Sequence, residues 1–104
     1  MRQIDTMTDW NKLLDNSKGL VAVDFWADWC GPCKAYSPKF EEVSKEVKGT
    51  EFVKVNVDVG KDIAALYDIG SIPATLLFNK GELKGGGVGN MKKDELKKLI
   101  VDAS

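Results

Sequence analysis

The run Leu20-Val21-Ala22-Val23-Asp24-Phe25-Trp26 constrains the fold more than any other stretch of this chain. It is apolar at odd and even positions alike, so a strand built from it must be covered on both faces. That requires a sheet with a layer of helices on each side. One residue breaks the pattern. A charged Asp24 in the middle of a covered strand is strongly unfavourable unless it is paired or protonated.

The rest of the chain supplies the covering layers. Thr8 is placed to cap a first helix running to about Asn16, with Trp10, Leu13 and Leu14 on one face. From Cys30 to about Val47, Phe40, Val43 and Val47 recur at helical spacing, and Gly49 follows the end. Pro38 is expected only to kink that helix. Glu51 to Asp58 reads as a second, alternating strand, Asp62 to Tyr67 as a short helix, and Ala74 to Asn79 as a third strand. Asn79-Lys80-Gly81-Glu82 then turns the chain into a weaker strand ending near Val88. Lys92 to Val101 closes as an amphipathic helix whose apolar face is Leu96, Leu99 and Ile100. The order implies one α/β domain over residues 1–104, with a mixed sheet and helices on both faces.

Composition removes several functions. With 15 basic and 16 acidic side chains and no basic cluster larger than a lysine pair, nucleic acid is not an expected partner. No apolar run is long enough for a membrane span. The N-terminus "MRQIDTMTDW" has no apolar signal region, so the expected compartment is the cytoplasm, although a mature chain with its leader removed would read the same. The two cysteines, Cys30 and Cys33, are too few for a disulfide scaffold. With no histidine, they are also half of a zinc site without its other half, and a four-cysteine iron–sulfur cluster within one chain is excluded. No metal is expected.

The remaining reading of Cys30-Gly31-Pro32-Cys33 is redox chemistry at a strand-to-helix junction. With Cys30 as the N-cap, its sulfur faces the free N–H groups of the first turn. Pro32 has no N–H, which leaves the Cys33 amide as donor to a Cys30 thiolate. The positive helix end favours that anion, making Cys30 the nucleophile. Cys33, one turn further in, is expected to be more buried and to act as the resolving sulfur. Gly31 leaves room for a bulky disulfide. The plain alternative is an inert disulfide closing a tiny loop.

"VDFWADWCGPCKAYSPKFEE" resembles the thioredoxin family, and the resemblance continues through "VKVNVD", "SIPATLLFNKGE" and "VGNMKKDELKKLI" over essentially the whole chain. It implies the thioredoxin fold, a central mixed sheet of about five strands flanked by about four helices. It implies a protein-disulfide reductase acting on disulfide-containing proteins. No cofactor would be bound; electrons would come from NADPH through a thioredoxin reductase. A monomer is expected.

The resemblance also assigns residues. Asp24 matches the family's buried carboxylate beneath the active-site helix, where burial raises its pKa and suits it to exchange a proton with Cys33 through a water. The alternative is a structural Asp with backbone partners. Lys54 stands where thioredoxins carry a lysine near that carboxylate, as a modulator of its charge; the alternative is a strand lysine reaching out to water. Asp58 would accept from an indole N–H, that of Trp29. The family holds the peptide matching Ile72-Pro73 cis, facing the cysteines, and the Ile72 backbone would pair with an extended target. Trp29, Gly31, Pro32, Ile72, Pro73, Val88 and Gly89 would make the target surface. The chain departs from the family at Gly85-Gly86-Gly87, a poor strand former where the last strand is usually bulkier. It also varies at Gly70, Ser71 and Ala74 around the target loop.

Two other functions compete. An oxidase or isomerase needs a strongly stabilised thiolate, and Gly31-Pro32 offers no cation for one. A binding module using the fold only for its surface would keep its partner without the cysteines.

Overall fold

The computed structural model describes residues 1–104. Its elements run β1 (Arg2–Gln3), α1 (Met7–Asn16), β2 (Leu20–Trp26), α2 (Gly31–Glu46), β3 (Thr50–Asn56), α3 (Lys61–Leu66), β4 (Ala74–Asn79), β5 (Glu82–Val88) and α4 (Lys93–Asp102). The five strands form one sheet in the order β1-β3-β2-β4-β5. β1, β3 and β2 are parallel, while β4 and β5 run antiparallel to their neighbours. No helix is long and apolar enough to cross a membrane.

Side-chain alternation along β2 divides the core into two layers. Val21, Val23 and Phe25 join Ile4, Trp10, Leu13, Ile63 and Phe78 on the face covered by α1 and α3. Ala22 joins Tyr36, Phe40, Val43, Leu96 and Ile100 on the face covered by α2 and α4. Asp24 has the parity of Ala22 and so lies on the α2 face. In register with it are Lys54 on β3 and Thr75 on β4. Three polar side chains therefore stand abreast on adjacent strands beneath α2, and all three are buried.

The structure corrects four sequence expectations. Thr6, not Thr8, caps α1: its Oγ1 accepts from the Asp9 amide at 3.2 Å, one turn before the buried Trp10. β3 does not alternate, because both its faces are covered: Val53 and Val55 enter the layer under α1 and α3, Phe52 enters the layer under α2 and α4, and Lys54 is buried as well. β1 was not expected from its polar sequence; it exists through pairing with Val53 and Lys54, and the Ile4 amide extends that ladder to the Lys54 carbonyl at 2.9 Å. The last strand forms in spite of its glycines, and Gly86 is required there because it faces backbone, whereas Gly87 faces the flexible Met91 side chain. A Cβ on Gly86 would lie 2.5 Å from the Thr75 carbonyl oxygen, and one on Gly87 would lie 2.7 Å from Met91 Sδ. Lys84 is the extra residue of a bulge opposite Leu77 and Phe78. α2 continues through Pro38 to Glu46.

Candidate redox-active site

The site is assembled where β2 ends and α2 begins. Cys30 is the N-cap of α2 in extended backbone conformation (φ −92°, ψ 107°), and its Sγ accepts from the Cys33 amide at 3.2 Å. Pro32 occupies the first turn, where its missing N–H leaves no gap in the helix ladder. Cys30 and Cys33 are joined as a disulfide with Cα atoms 5.3 Å apart. The expected difference in burial between them is not found: Cys30 is 4% exposed and Cys33 3%. Helix position alone does not bury the second sulfur, because the Ile72 loop shields the first as well. The two differ instead in surroundings. Cys30 Sγ lies 3.7 Å from the Ile72 carbonyl oxygen, toward the Pro73 loop. Cys33 lines a cavity of about 150 Å³ on the other side, with Trp26, Lys34, Ser37 and Lys54.

The Ile72-Pro73 peptide is cis. Pro73 itself is buried, so it offers little surface of its own; its carbonyl accepts from the Gly89 amide at 2.7 Å. That bond and the pairing of Ala74 with Val88 bring the end of β5 beside Ile72 and hence beside Cys30. Trp29 is 71% exposed and Val88 66%, with Gly31 and Pro32 also exposed and Ile72 and Gly89 half-buried. Trp29 and Val88 are thus apolar side chains left open to solvent near the disulfide. Trp29 is held by its indole N–H, which donates to Asp58 Oδ2 at 3.0 Å.

Beneath the helix, Asp24 is 1% exposed and neither carboxylate oxygen has a hydrogen-bond partner. Burial pushes its carboxyl up to about 7; the Lys54 charge pulls against that rise and Glu41 adds to it. Lys54 is buried too, with its Nζ 4.0 Å from Asp24 Oδ2. It does not reach out to water: it donates to the Ser37 hydroxyl and lies 5.6 Å from the centroid of the Trp26 ring. Sequence reasoning missed Ser37 and Trp26. A signal for Ser37 was available, since it follows Cys33 by four residues and so lies one turn along the same helix face.

The site thus joins a disulfide at a helix N-terminus, a cis proline loop against it and a buried carboxyl without a hydrogen bond below it. A family model described as Thioredoxin matches residues 2–102. The chain belongs to the thioredoxin family. It is 42% identical over 100 residues to a thioredoxin of Mycoplasmoides gallisepticum, covering 96% of this chain and 99% of the relative. A thioredoxin of Buchnera aphidicola from Acyrthosiphon pisum is 43% identical over 103 residues, covering 96% and 95%. The crystallographic thioredoxin of Fasciola hepatica superposes with a TM-score of 0.92 at 34% identity over the full length of both chains. The thioredoxin fold expected from sequence is thus the fold observed, and the Cys30–Cys33 pair makes this family member a thiol–disulfide oxidoreductase.

Proposed function

We propose that the chain is a protein-disulfide reductase, a single-domain monomeric electron carrier of the cytoplasm that a thioredoxin reductase re-reduces at the expense of NADPH. The observation that carries this reading is the Cys33 amide directed at Cys30 Sγ from the first turn of α2. In the reduced protein that donor and the helix end favour a Cys30 thiolate. The thiolate attacks one sulfur of a target disulfide, forming a Cys30–target mixed disulfide and expelling a target thiolate. Cys33 then gives its proton to Asp24 and attacks Cys30 Sγ. The Cys30–Cys33 bond forms, the Cys30–target bond breaks, and the second target thiolate leaves. Two electrons pass to the target, and the protein disulfide awaits its reductase. Lys54 modulates the Asp24 charge, and an extended target segment pairs with the Ile72 backbone while Trp29, Gly31, Pro32, Pro73, Val88 and Gly89 frame it.

Reduction of insulin disulfides, coupled to NADPH through a thioredoxin reductase, tests the reading. Cys30→Ser abolishes turnover. Cys33→Ser accumulates a covalent complex with the target, and alkylation at neutral pH labels Cys30 first. Preferential labelling of Cys33 reverses the roles. A reduction potential more oxidising than the glutathione pool reverses the direction of electron flow and with it the function.

A further inference from the structure

Lys54 has two oxygen acceptors near it under α2, and it bonds to the neutral one. Its ammonium donates to the Ser37 hydroxyl, whereas the nearer Asp24 oxygen is 4.0 Å away, and both Asp24 oxygens are without a hydrogen bond. The ammonium also lies 5.6 Å from the Trp26 ring centroid, and the Trp26 indole N–H is itself tied to Gln3 Oε1 at 3.2 Å. Ser37, Cys33 and Lys54 line the same cavity of about 150 Å³, and Asp24 lies 4.0 Å from the Lys54 ammonium.

We propose that Ser37 is a positioning residue for the resolving step: by holding the Lys54 ammonium it keeps that charge off Asp24 and leaves the carboxylate free to take the Cys33 proton. The inference rests on the proton-accepting role given to Asp24 above. Without the Ser37 hydroxyl, the Asp24 carboxylate 4.0 Å away is the acidic group left for Lys54 to approach. Closing from 4.0 Å to direct contact strengthens the attraction and adds a charge-assisted bond, both of which favour the ionised carboxylate. A carboxylate locked to an ammonium is a weaker base toward a thiol. The other groups facing Asp24 are Glu41 and Tyr36 from α2 and Thr75 from β4, whose hydroxyl is engaged by Tyr36. None of them is altered by a change at Ser37.

The test is Ser37→Ala, with the Asp24 carboxyl titrated by carbon NMR in the oxidised protein and decay of a preformed Cys30–target mixed disulfide followed against pH. In Ser37→Ala the Asp24 midpoint falls by about one pH unit. The pH profile of the resolving step moves with it, and its rate near neutral pH falls severalfold. Ser37→Thr, which keeps the hydroxyl, restores the midpoint. In a Lys54→Met background Ser37→Ala moves nothing, because Ser37 acts through Lys54. A midpoint that is unmoved or raised in Ser37→Ala overturns the proposal, and so does an equal shift without Lys54. A midpoint that falls while the resolving rate stays constant overturns the role of Asp24 in proton transfer, yet upholds Ser37 as the group that holds Lys54 off it.

Discussion

Tyr36 and Asp24 each bring a polar group under α2, and each is in contact with the same residue of β4, but only one is satisfied. The Tyr36 hydroxyl meets Thr75 Oγ1 at 2.7 Å, and both residues are fully buried. Asp24 is paired with Thr75 in the sheet register and is buried to the same extent, yet its two oxygens have no hydrogen bond. The physical cost of burial is similar in kind at both places. At Tyr36 a partner offsets it, and the ring packs on Phe40 in the core. At Asp24 nothing offsets it fully, since Lys54 stands at 4.0 Å and is bonded to Ser37. A group left in that state destabilises the fold whenever it is charged, which marks it as retained for something other than stability.

The largest effect that distinguishes the two pairs is the pH dependence of stability. The Asp24 carboxyl is raised from 3.8 to about 7 by burial. Its folded-state value thus lies above its unfolded one, so the unfolded chain releases the proton first. Its contribution to stability is complete below about pH 4, declines as pH rises toward 7, and then stays at the lower level, a change of about 4 kcal/mol. Asp24→Asn lacks this slope. Denaturant unfolding of the oxidised proteins should show the variant gaining about 4 kcal/mol on wild type between about pH 4 and pH 8, whatever the fixed cost of the amide. The same variant should resolve the mixed disulfide about 10²–10⁴-fold more slowly, with the attack by Cys30 unaffected. A pH-independent stability difference would make Asp24 a paired structural residue and remove the contrast with Tyr36.

Much of this site was readable in the sequence because it depends on local patterns. The two-sided apolar run from Leu20 to Trp26 required a central strand, and Cys30 before Gly31-Pro32 required a helix start. Asp24 stood out because a charge in such a run has no local explanation. What was not readable depends on neighbours distant in sequence. β1 is two polar residues whose only reason to be extended is the open edge of β3. The bond between Tyr36 and Thr75 spans 39 positions, and that between Lys54 and Ser37 spans 17. Neither residue type signals its partner. Gly86 and Gly87 read as a weakness because a glycine's use as clearance for Thr75, Leu76 and Met91 is visible only once β4 and α4 are in place. The equal burial of Cys30 and Cys33 likewise follows from the Ile72 loop, 42 residues away from Cys30.

A smaller effect tests the satisfied pair. Tyr36→Phe removes the phenol and leaves the Thr75 hydroxyl in the core without its partner. The expected loss is about 1–3 kcal/mol, the cost of an unmet buried polar group. It should be constant across the window in which Asp24→Asn gains, because no group in the Tyr36–Thr75 pair titrates there; burial moves the Tyr36 phenol further up from an already high value. Insulin reduction by Tyr36→Phe should match wild type within a factor of about two, well inside the 10²–10⁴-fold attached to Asp24. If its resolving step slowed as much as that of Asp24→Asn, the two pairs would be parts of one network and not a structural and a functional one.

The smallest expected effect is the sharpest. In the double variant Tyr36→Phe, Thr75→Val, both hydroxyls are gone and each replacement keeps nearly the shape of the residue it replaces. Removing both partners of a buried hydrogen bond is close to neutral, unlike removing one. The double variant should therefore lie within about 1 kcal/mol of wild type, recovering most of the loss seen in Tyr36→Phe. Thr75 also flanks Asp24 in the sheet, so the exchange makes the surroundings of the carboxyl more apolar. That addition should raise the Asp24 midpoint, because a less polar neighbour disfavours the charged form. Titration of Asp24 in the double variant reads this directly. A midpoint that falls would mean that the Thr75 hydroxyl works against the charge at Asp24, and the comparison between a satisfied pair and an unsatisfied carboxyl would have to be redrawn with Thr75 shared between them.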